Sequence, residues 1–355
     1  MKQIRRPLLL PLAPLYGMAL AVKRLIFRPG RLGQRRLANP VISIGSISAG
    51  GAGKTPVVMM MTDLLRRRGY AVSILTRGFG RAPKTVERVE PYGDPAWFGD
   101  EPVLLAQRSG SPVFVGADRY QAGLLAERSA AAGKIAVHLL DDGFQHRRLA
   151  RDLDIVLLTE EDTDDLLLPA GNLREPLSML GEAQVILLRE EEAERLRSFV
   201  KDRTRKRKKP PAIWVVRRRL SFGVAGDSGM PEESSGSMPC KRPLAFCGIA
   251  RPAGFTAMLE AHGCRPVETI AFADHHPYRD ADIDRLREQA RRQNADGFVT
   301  TEKDAVKLTP EMRRKLEKMG PLVMARLSVT LVDESNAISQ LISLVPRLDR
   351  RSGNR

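Results

Sequence analysis

Residues 41–56 constrain this chain more tightly than any other stretch. An apolar run, Val41-Ile-Ser-Ile-Gly45, leads into Ser46-Ile-Ser-Ala-Gly-Gly-Ala-Gly-Lys54-Thr55, and Pro56 then stands in the first turn of a helical segment. A strand that ends in a glycine-rich turn and reopens as a helix aims backbone N–H groups and a helix N-terminus at one point. That arrangement suits phosphate. Ser48, Ala49, Gly50, Gly51, Ala52 and Gly53 would form the cradle of such a P-loop. Lys54 would reach the outer phosphates and the Thr55 hydroxyl would bind Mg²⁺. The strict pattern wants glycine where Ser48 stands, so the context of strand and helix carries more weight than the motif alone. The plain alternative is a glycine-rich turn with a chance Lys-Thr.

Short apolar, β-branched runs alternate with helical segments along the rest of the first half. Strands are expected at Val41–Gly45, Ala71–Thr76, Pro112–Val115, Ile135–Leu140, Leu153–Leu158 and Gln184–Leu188, with helices at Pro56–Arg68 and Arg119–Ala132. Strands that are apolar throughout and separated by helices argue for a parallel α/β sheet covered on both faces. The pattern breaks after Glu190. Lys201–Lys209 holds seven basic residues in nine and Gly223–Pro239 is rich in Gly, Ser and Pro, which reads as a basic, flexible linker or insertion. From Arg242 the alternation resumes, with strands expected at Pro243–Ile249, Pro266–Phe272, Gly297–Thr301 and Leu322–Leu327. Helices are expected there at Gly254–His262, Asp280–Gln293 and Pro310–Lys318. The expected fold is α/β: a P-loop NTPase-like parallel sheet, a second, smaller α/β domain and an N-terminal membrane-associated helix. The expected divisions are 1–35, 36–200, 201–241 and 242–355.

A P-loop needs a second magnesium ligand at the end of an apolar strand. Ala136-Val-His-Leu-Leu140 ends in Asp141-Asp142-Gly143-Phe-Gln-His146. Adjacent carboxylates at a strand tip repel each other unless a cation neutralises them, although an Asp-Asp-Gly turn in water has the same sequence. Two switch-protein readings lose their diagnostic residue. The base-reading Asn/Thr-Lys-x-Asp of GTPases is approached by Thr301-Glu302-Lys303-Asp304, with Glu where Lys is required. The lysine that precedes the Gly-Gly pair in partitioning ATPases is Ala49 here.

The 355 residues carry 58 Lys and Arg against 42 Asp and Glu, a net charge of +16. Such a balance calls for an anionic partner. Only 5% of the chain is aromatic, which leans against nucleic acid and its stacking contacts. Pro7–Val22 is an uncharged, mostly apolar run of 16 followed by Lys23, Arg24, Arg28 and Arg31. It falls short of the ~20 residues that span a bilayer, and the basic residues after it oppose export. The favoured reading is a segment lying in the membrane interface. A core helix, or a signal or spanning segment, remains open. Cys240, Cys247 and Cys264, spaced 7 and 17 apart, make neither a disulfide framework nor a zinc site and read as inert thiols.

These pieces together resemble the tetraacyldisaccharide 4'-kinase family, the lipid A 4'-kinases of Gram-negative bacteria. The matching segments are Gly50-Gly-Ala-Gly-Lys-Thr-Pro56, Thr76-Arg-Gly-Phe-Gly-Arg81, Gly99-Asp-Glu-Pro102 and Gly116-Ala-Asp-Arg119. They continue through Asp141-Asp-Gly-Phe-Gln-His146, Gly171-Asn-Leu-Arg-Glu-Pro176, Phe272-Ala-Asp-His275 and Thr300-Thr-Glu-Lys-Asp304. The chain departs from the family at Ser46 and Ser48, where Asn and Thr are usual, at Phe79, where Tyr is usual, and in a longer, more basic 201–240. The resemblance implies transfer of the ATP γ-phosphoryl group to the 4'-hydroxyl of a disaccharide 1-phosphate lipid. Asp100, paired with His275, would take or orient the hydroxyl proton, with Lys54 on the phosphates. Asp141, Asp142 and Glu175 would hold or orient Mg²⁺ with Thr55, and Arg77, Arg119 and Arg174 would meet substrate phosphate. Asp100 as a helix cap, His275 as a loop histidine and the arginines as surface ion pairs are the plain alternatives. The implied partners are an anionic glycolipid and the membrane surface, with no nucleic acid and no obligate protein partner. The implied place is the cytoplasmic face of the bacterial inner membrane, peripheral or anchored by the N-terminus.

Overall fold

The computed structural model describes residues 6–27, 34–81, 83–129, 135–224 and 238–348. A 3-10 turn, Pro7–Leu12, runs into helix α1 (Ala13–Ile26). The first half then follows as β1 (Val41–Ser46), α2 (Lys54–Arg67), β2 (Ala71–Thr76), β3 (Glu87–Arg88), α3 (Pro95–Phe98), α4 (Asp100–Arg108), β4 (Val113–Val115), α5 (Arg119–Arg128), β5 (Ala136–Asp141), β6 (Leu153–Leu157), α6 (Glu160–Thr163), β7 (Val185–Arg189) and α7 (Glu190–Thr204). The second half comprises β8 (Ala212–Val224), β9 (Pro243–Cys247), α8 (Pro252–Ala261), β10 (Glu268–Ala271), α9 (Asp280–Arg292), β11 (Gly297–Thr301), α10 (Glu302–Ala305), α11 (Pro310–Glu317), β12 (Leu322–Leu331) and α12 (Glu334–Leu344).

Among the described residues, twelve strands join one sheet in the order β10-β9-β11-β12-β8-β7-β6-β1-β5-β2-β4-β3. Pairing is parallel except between β12 and β8 and between β3 and β4. β1 is buried along its whole length and is flanked by β5 and β6, which explains why it carries no charge and only small polar residues among its apolar ones. Ile42 and Ile44 are fully buried with Val57, Val58 and Met61 of α2 in the largest core cluster; each such side chain contributes ~1.5–3 kcal/mol. A second cluster, Leu244, Phe246, Ile283, Leu286 and Phe298, fills the other half. Cys240, Cys247 and Cys264 are free and buried. Burial holds the Cys240 and Cys247 thiols up at about 12, so they pack as inert apolar groups.

The flexible reading of 201–241 is corrected over its first part. Lys201–Thr204 completes α7, and Ala212–Val224 is a 13-residue strand. It pairs with β7 on one side and with β12 on the other, so it joins the two halves through the sheet. Three consecutive arginines hid the alternation. The first two are usable in a strand because the acidic first turn of α7 receives them: Arg217 donates to Glu190 at 2.6 Å, and Arg218 pairs with Glu191. Most of the Gly/Ser/Pro-rich stretch, residues 225–237, lies outside the described residues, as do Arg28, Arg31 and residues 130–134, on which the expected continuation of α5 fell.

Because β12 runs against β8, the strands of the second half run opposite to β1. Six steps separate β1 from β9 in the sheet, and a twist of roughly 20–25° per step turns direction by roughly 120–150°. The carboxyl ends of the second set therefore swing round toward those of the first. The loop after β9 reaches the loop after β1, and the loop after β10 reaches the start of α4.

Candidate active site

The loop between β1 and α2 is built on backbone conformation. Gly50, Gly51 and Gly53 have φ of 69°, 61° and 88°, the left-handed region that glycine enters without cost. α2 begins at Lys54 with no capping side chain and no acidic residue in its first turn. By contrast, the side chain of Asp118 accepts from the first N–H groups of α5. The first donors of α2 are thus left to an external anion. The Lys54 ammonium stands 3.4 Å from Asp142 and 3.4 Å from the Ser46 hydroxyl.

The carboxylate pair lies at the tip of β5, the strand beside β1. Arg174 donates to both oxygens of Asp142 at 2.7 Å, a bidentate clamp. Its Nε also donates to the Ser48 carbonyl at 3.1 Å, so one guanidinium ties the phosphate loop to the carboxylates. Burial would raise Asp142, but Arg174 and Lys54 outweigh it and hold its carboxyl well below the usual range. Asp141 goes the other way. Burial first, then Glu101 and Asp142, push it up to about 7 against Lys54 and the hydrogen bond from Thr76. A divalent cation beside such a pair would favour the second negative charge.

Arg119 is buried, and burial together with Arg77 lowers it to about 10 while Asp142 and Asp141 oppose the shift. Arg77 itself is exposed. Arg119 thus feels both the carboxylate pair and the neighbouring charge of Arg77. Glu175 is 1% exposed. Burial raises its carboxyl, against Arg147, Arg24, Lys23 and Arg174, so cations of α1 and of the 145–151 loop dominate its surroundings. Among the described residues no cluster of three or more His, Cys, Asp or Glu forms a metal cage. The set fits Mg²⁺ of the kind held by one or two carboxylates, a hydroxyl and phosphate oxygens.

The second half contributes His275. Its Nδ1 lies 3.0 and 2.9 Å from the two oxygens of Asp100, at the first residue of α4. Asp100 is 6% exposed; burial would raise it, but the hydrogen bond from His275 and the charge of Lys303 hold it below its ordinary value. That same hydrogen bond raises His275 against burial and Lys303. Lys303 stands 3.2 Å from His275 Nε2 and donates to Glu101 at 3.1 Å. The Phe79 ring lies 5.2 Å from the imidazole. Asp142 and His275, with φ of 49° and 61°, are two of the three non-glycine residues with positive φ among the described residues, which places backbone strain at the site.

The family model described as tetraacyldisaccharide-1-P 4'-kinase matches residues 5–345. The chain belongs to that family. A tetraacyldisaccharide 4'-kinase from Koribacter versatilis is 40% identical over 344 residues, covering 95% of this chain and 98% of the relative. One from Pelobacter propionicus is 35% identical over 96% of this chain and 92% of its own length. A crystal structure of LpxK from Aquifex aeolicus in complex with ATP superposes with a TM-score of 0.73 at 30% identity, covering 96% of this chain and 99% of that one. Membership makes the chain an ATP-dependent kinase, and it agrees with the α/β fold described above.

Within this kinase the structure brings together Lys54, Asp141, Asp142, Arg174, Arg77 and Arg119 on one side, and Asp100 with His275 on the other. Sequence reading missed the partners that hold them. Glu101 sits beside Asp100 in a quoted motif but received no role. Lys303 belongs to Thr300-Thr-Glu-Lys-Asp304, whose contacts depend on the approach of the two halves. His146 was the last residue of the carboxylate motif. Burial, then Arg119 and Arg151, depress it to about 4, so it is neutral near pH 7.

Proposed function

We propose that the chain transfers the γ-phosphoryl group of ATP to the 4'-hydroxyl of a tetraacyldisaccharide 1-phosphate, forming the 4'-phosphorylated lipid A precursor at a membrane surface. One observation carries this reading. A phosphate loop with its carboxylate pair lies in one half, and a His–Asp pair is completed only when the second half meets it.

ATP supplies the transferred group and its metal supplies charge neutralisation. Lys54, the α2 N-terminus and glycines 50, 51 and 53 would hold the phosphates. Thr55 with Asp141 and Asp142 would hold Mg²⁺, and Arg174 orients Asp142 from the loop that also carries Glu175. Asp100 fixes the His275 ring through Nδ1, and the pair would take or orient the proton of the acceptor hydroxyl. A lone carboxylate, with a pKa near ~4, is a weak base, while imidazole titrates near ~6.5. Arg77 and Arg119 would meet phosphate oxygens of the substrates.

Membrane attachment rests on α1. Leu8, Leu15, Met18, Val22 and Leu25 are at least half exposed, while Leu20 is buried. Tyr16 donates to the Arg174 carbonyl at 3.2 Å and Lys23 to the Gln145 carbonyl at 3.3 Å. Pro7–Ile26 is long and apolar enough to cross a bilayer by length and composition, yet one face is engaged by the kinase domain. The opposite, apolar face would lie in the acyl region, as in an interfacial helix. The location this supports is the cytoplasmic face of the bacterial inner membrane, peripheral, where the lipid substrate resides. Purified protein given Mg-ATP and the disaccharide lipid in anionic vesicles should yield the 4'-phosphate. ATP hydrolysis without a phosphorylated lipid would refute the reading.

A further inference from the structure

The loop after β9 lies across the phosphate loop. A Cβ built on Gly50 would stand 2.9 Å from Ala250 Cβ, and one built on Gly51 would stand 2.6 Å from Arg251 Cδ and 2.8 Å from its Nε. Arg251 is therefore laid along the glycine turn itself, although it comes from the second half of the chain. Its guanidinium pairs at 2.5 Å with Glu161. Glu161 lies on α6, past the carboxyl end of β6, the strand next to β1. The Arg251 side chain is 23% exposed and that of Glu161 is 45% exposed, so the acid can turn to solvent if the guanidinium leaves it.

A planar fork of N–H donors above a turn whose own N–H groups converge on an anion has the donors that phosphate oxygens accept. A polyphosphate in the turn and the Glu161 carboxylate would compete for the same guanidinium. The more highly charged of the two, less exposed to water, wins that competition.

We infer that Arg251 is a nucleotide-contacting residue: Glu161 holds its guanidinium over the turn when no nucleotide is bound, and the guanidinium passes to an oxygen of the outermost phosphate when ATP is. The contact would also link nucleotide occupancy to the approach of the two halves, because Arg251 and His275 are carried by the same half. This rests on the kinase reading of the phosphate loop.

The test is calorimetric binding of Mg-AMP-PNP and Mg-ADP to the full chain and to Arg251→Ala, Arg251→Lys, Glu161→Gln and Lys54→Ala, with the melting temperature of each nucleotide-free protein. Arg251→Ala should bind Mg-AMP-PNP about tenfold more weakly or worse, with Mg-ADP affinity changed less than about twofold. Arg251→Lys should recover part of the loss, and Glu161→Gln should bind at least as tightly as the parent. The inference is overturned if Arg251→Ala binds Mg-AMP-PNP within twofold of the parent. It is equally overturned if Glu161→Gln loses affinity and melting temperature together with Arg251→Ala, because the pair is then a structural tie. Lys54→Ala separates the two levels: if it binds normally, the phosphate-loop reading fails, and if it alone loses binding, only the role of Arg251 fails.

Discussion

Asp142 and His275 hold left-handed backbone that glycine would adopt at less cost. Each retains it through partners: Arg174 and Lys54 for Asp142, Asp100 and the Gly248 carbonyl for His275. The Asp100–His275 pair has a pH signature. His275 is raised above its ordinary value and Asp100 is lowered. A raised histidine contributes stability that is fully present below its unfolded value, ~6.5, and is lost as pH rises through its folded value. A lowered aspartate contributes stability present above ~3.9 and lost as pH falls through its folded value. The melting-temperature gap between the parent and Asp100→Asn should therefore be widest from about pH 4 to 6.5 and narrow as pH rises beyond. A gap constant from pH 5 to 9 would contradict the pairing. In the catalytic assay, His275→Ala should lower kcat by roughly 10²–10⁴ while leaving ATP affinity close to the parent. The residue types of this site were legible in the sequence because each sat in a short motif. What was not legible was their pairing: Asp100 and His275 are 175 residues apart, and Lys303, which stands beside His275 in the second half, reaches Glu101 only across the halves.

Among the elements, β1, β2 and β11 were read from sequence nearly residue for residue, since buried parallel strands are short, mostly apolar or β-branched runs that carry no charge. β8 was missed for the opposite reason. Its first two arginines answer acidic groups on α7 rather than water, and no local pattern announces a partner helix. α12 was also missed, and β12, expected to end at Leu327, runs on to Leu331. If β8 is a structural strand, Trp214→Ala should cost ~3–5 kcal/mol, measured by denaturant unfolding. Trp214 is buried and donates to Gln340 of α12 at 2.8 Å; a flexible linker would lose almost nothing. α1 makes a different prediction. Replacing Leu8, Leu15 and Val22 by Ser should release the protein from anionic vesicles in a sedimentation assay while leaving its melting temperature unchanged, because these side chains already face outward. Undiminished vesicle binding would remove α1 from the membrane account.

At the scale of the whole molecule, one continuous sheet lets the two halves share a site. Its twist turns oppositely running strands until their carboxyl ends open toward the same side, and ion pairs close the seam along α4: Asp100 with His275, Glu101 with Lys303 and Arg108 with Glu302. The net charge of +16 suits an enzyme whose nucleotide, lipid substrate and membrane surface are all anionic. Vesicle binding should therefore weaken as salt rises from 0.05 to 0.5 M, with the Debye length falling from about 14 to about 4 Å. The fold class was legible because the alternation of strands and helices survives on both sides of the seam, whereas the seam itself was not. The central claim is that the turn ending in Lys54 and Thr55 grips the triphosphate whose metal the β5 carboxylates share. The most direct measurement is phosphorylation of the disaccharide lipid by Lys54→Ala in anionic vesicles, alongside its affinity for Mg-ATP. The account predicts that both fall by roughly a hundredfold or more while the protein remains folded; a variant that still phosphorylates the lipid at the parent rate would contradict it.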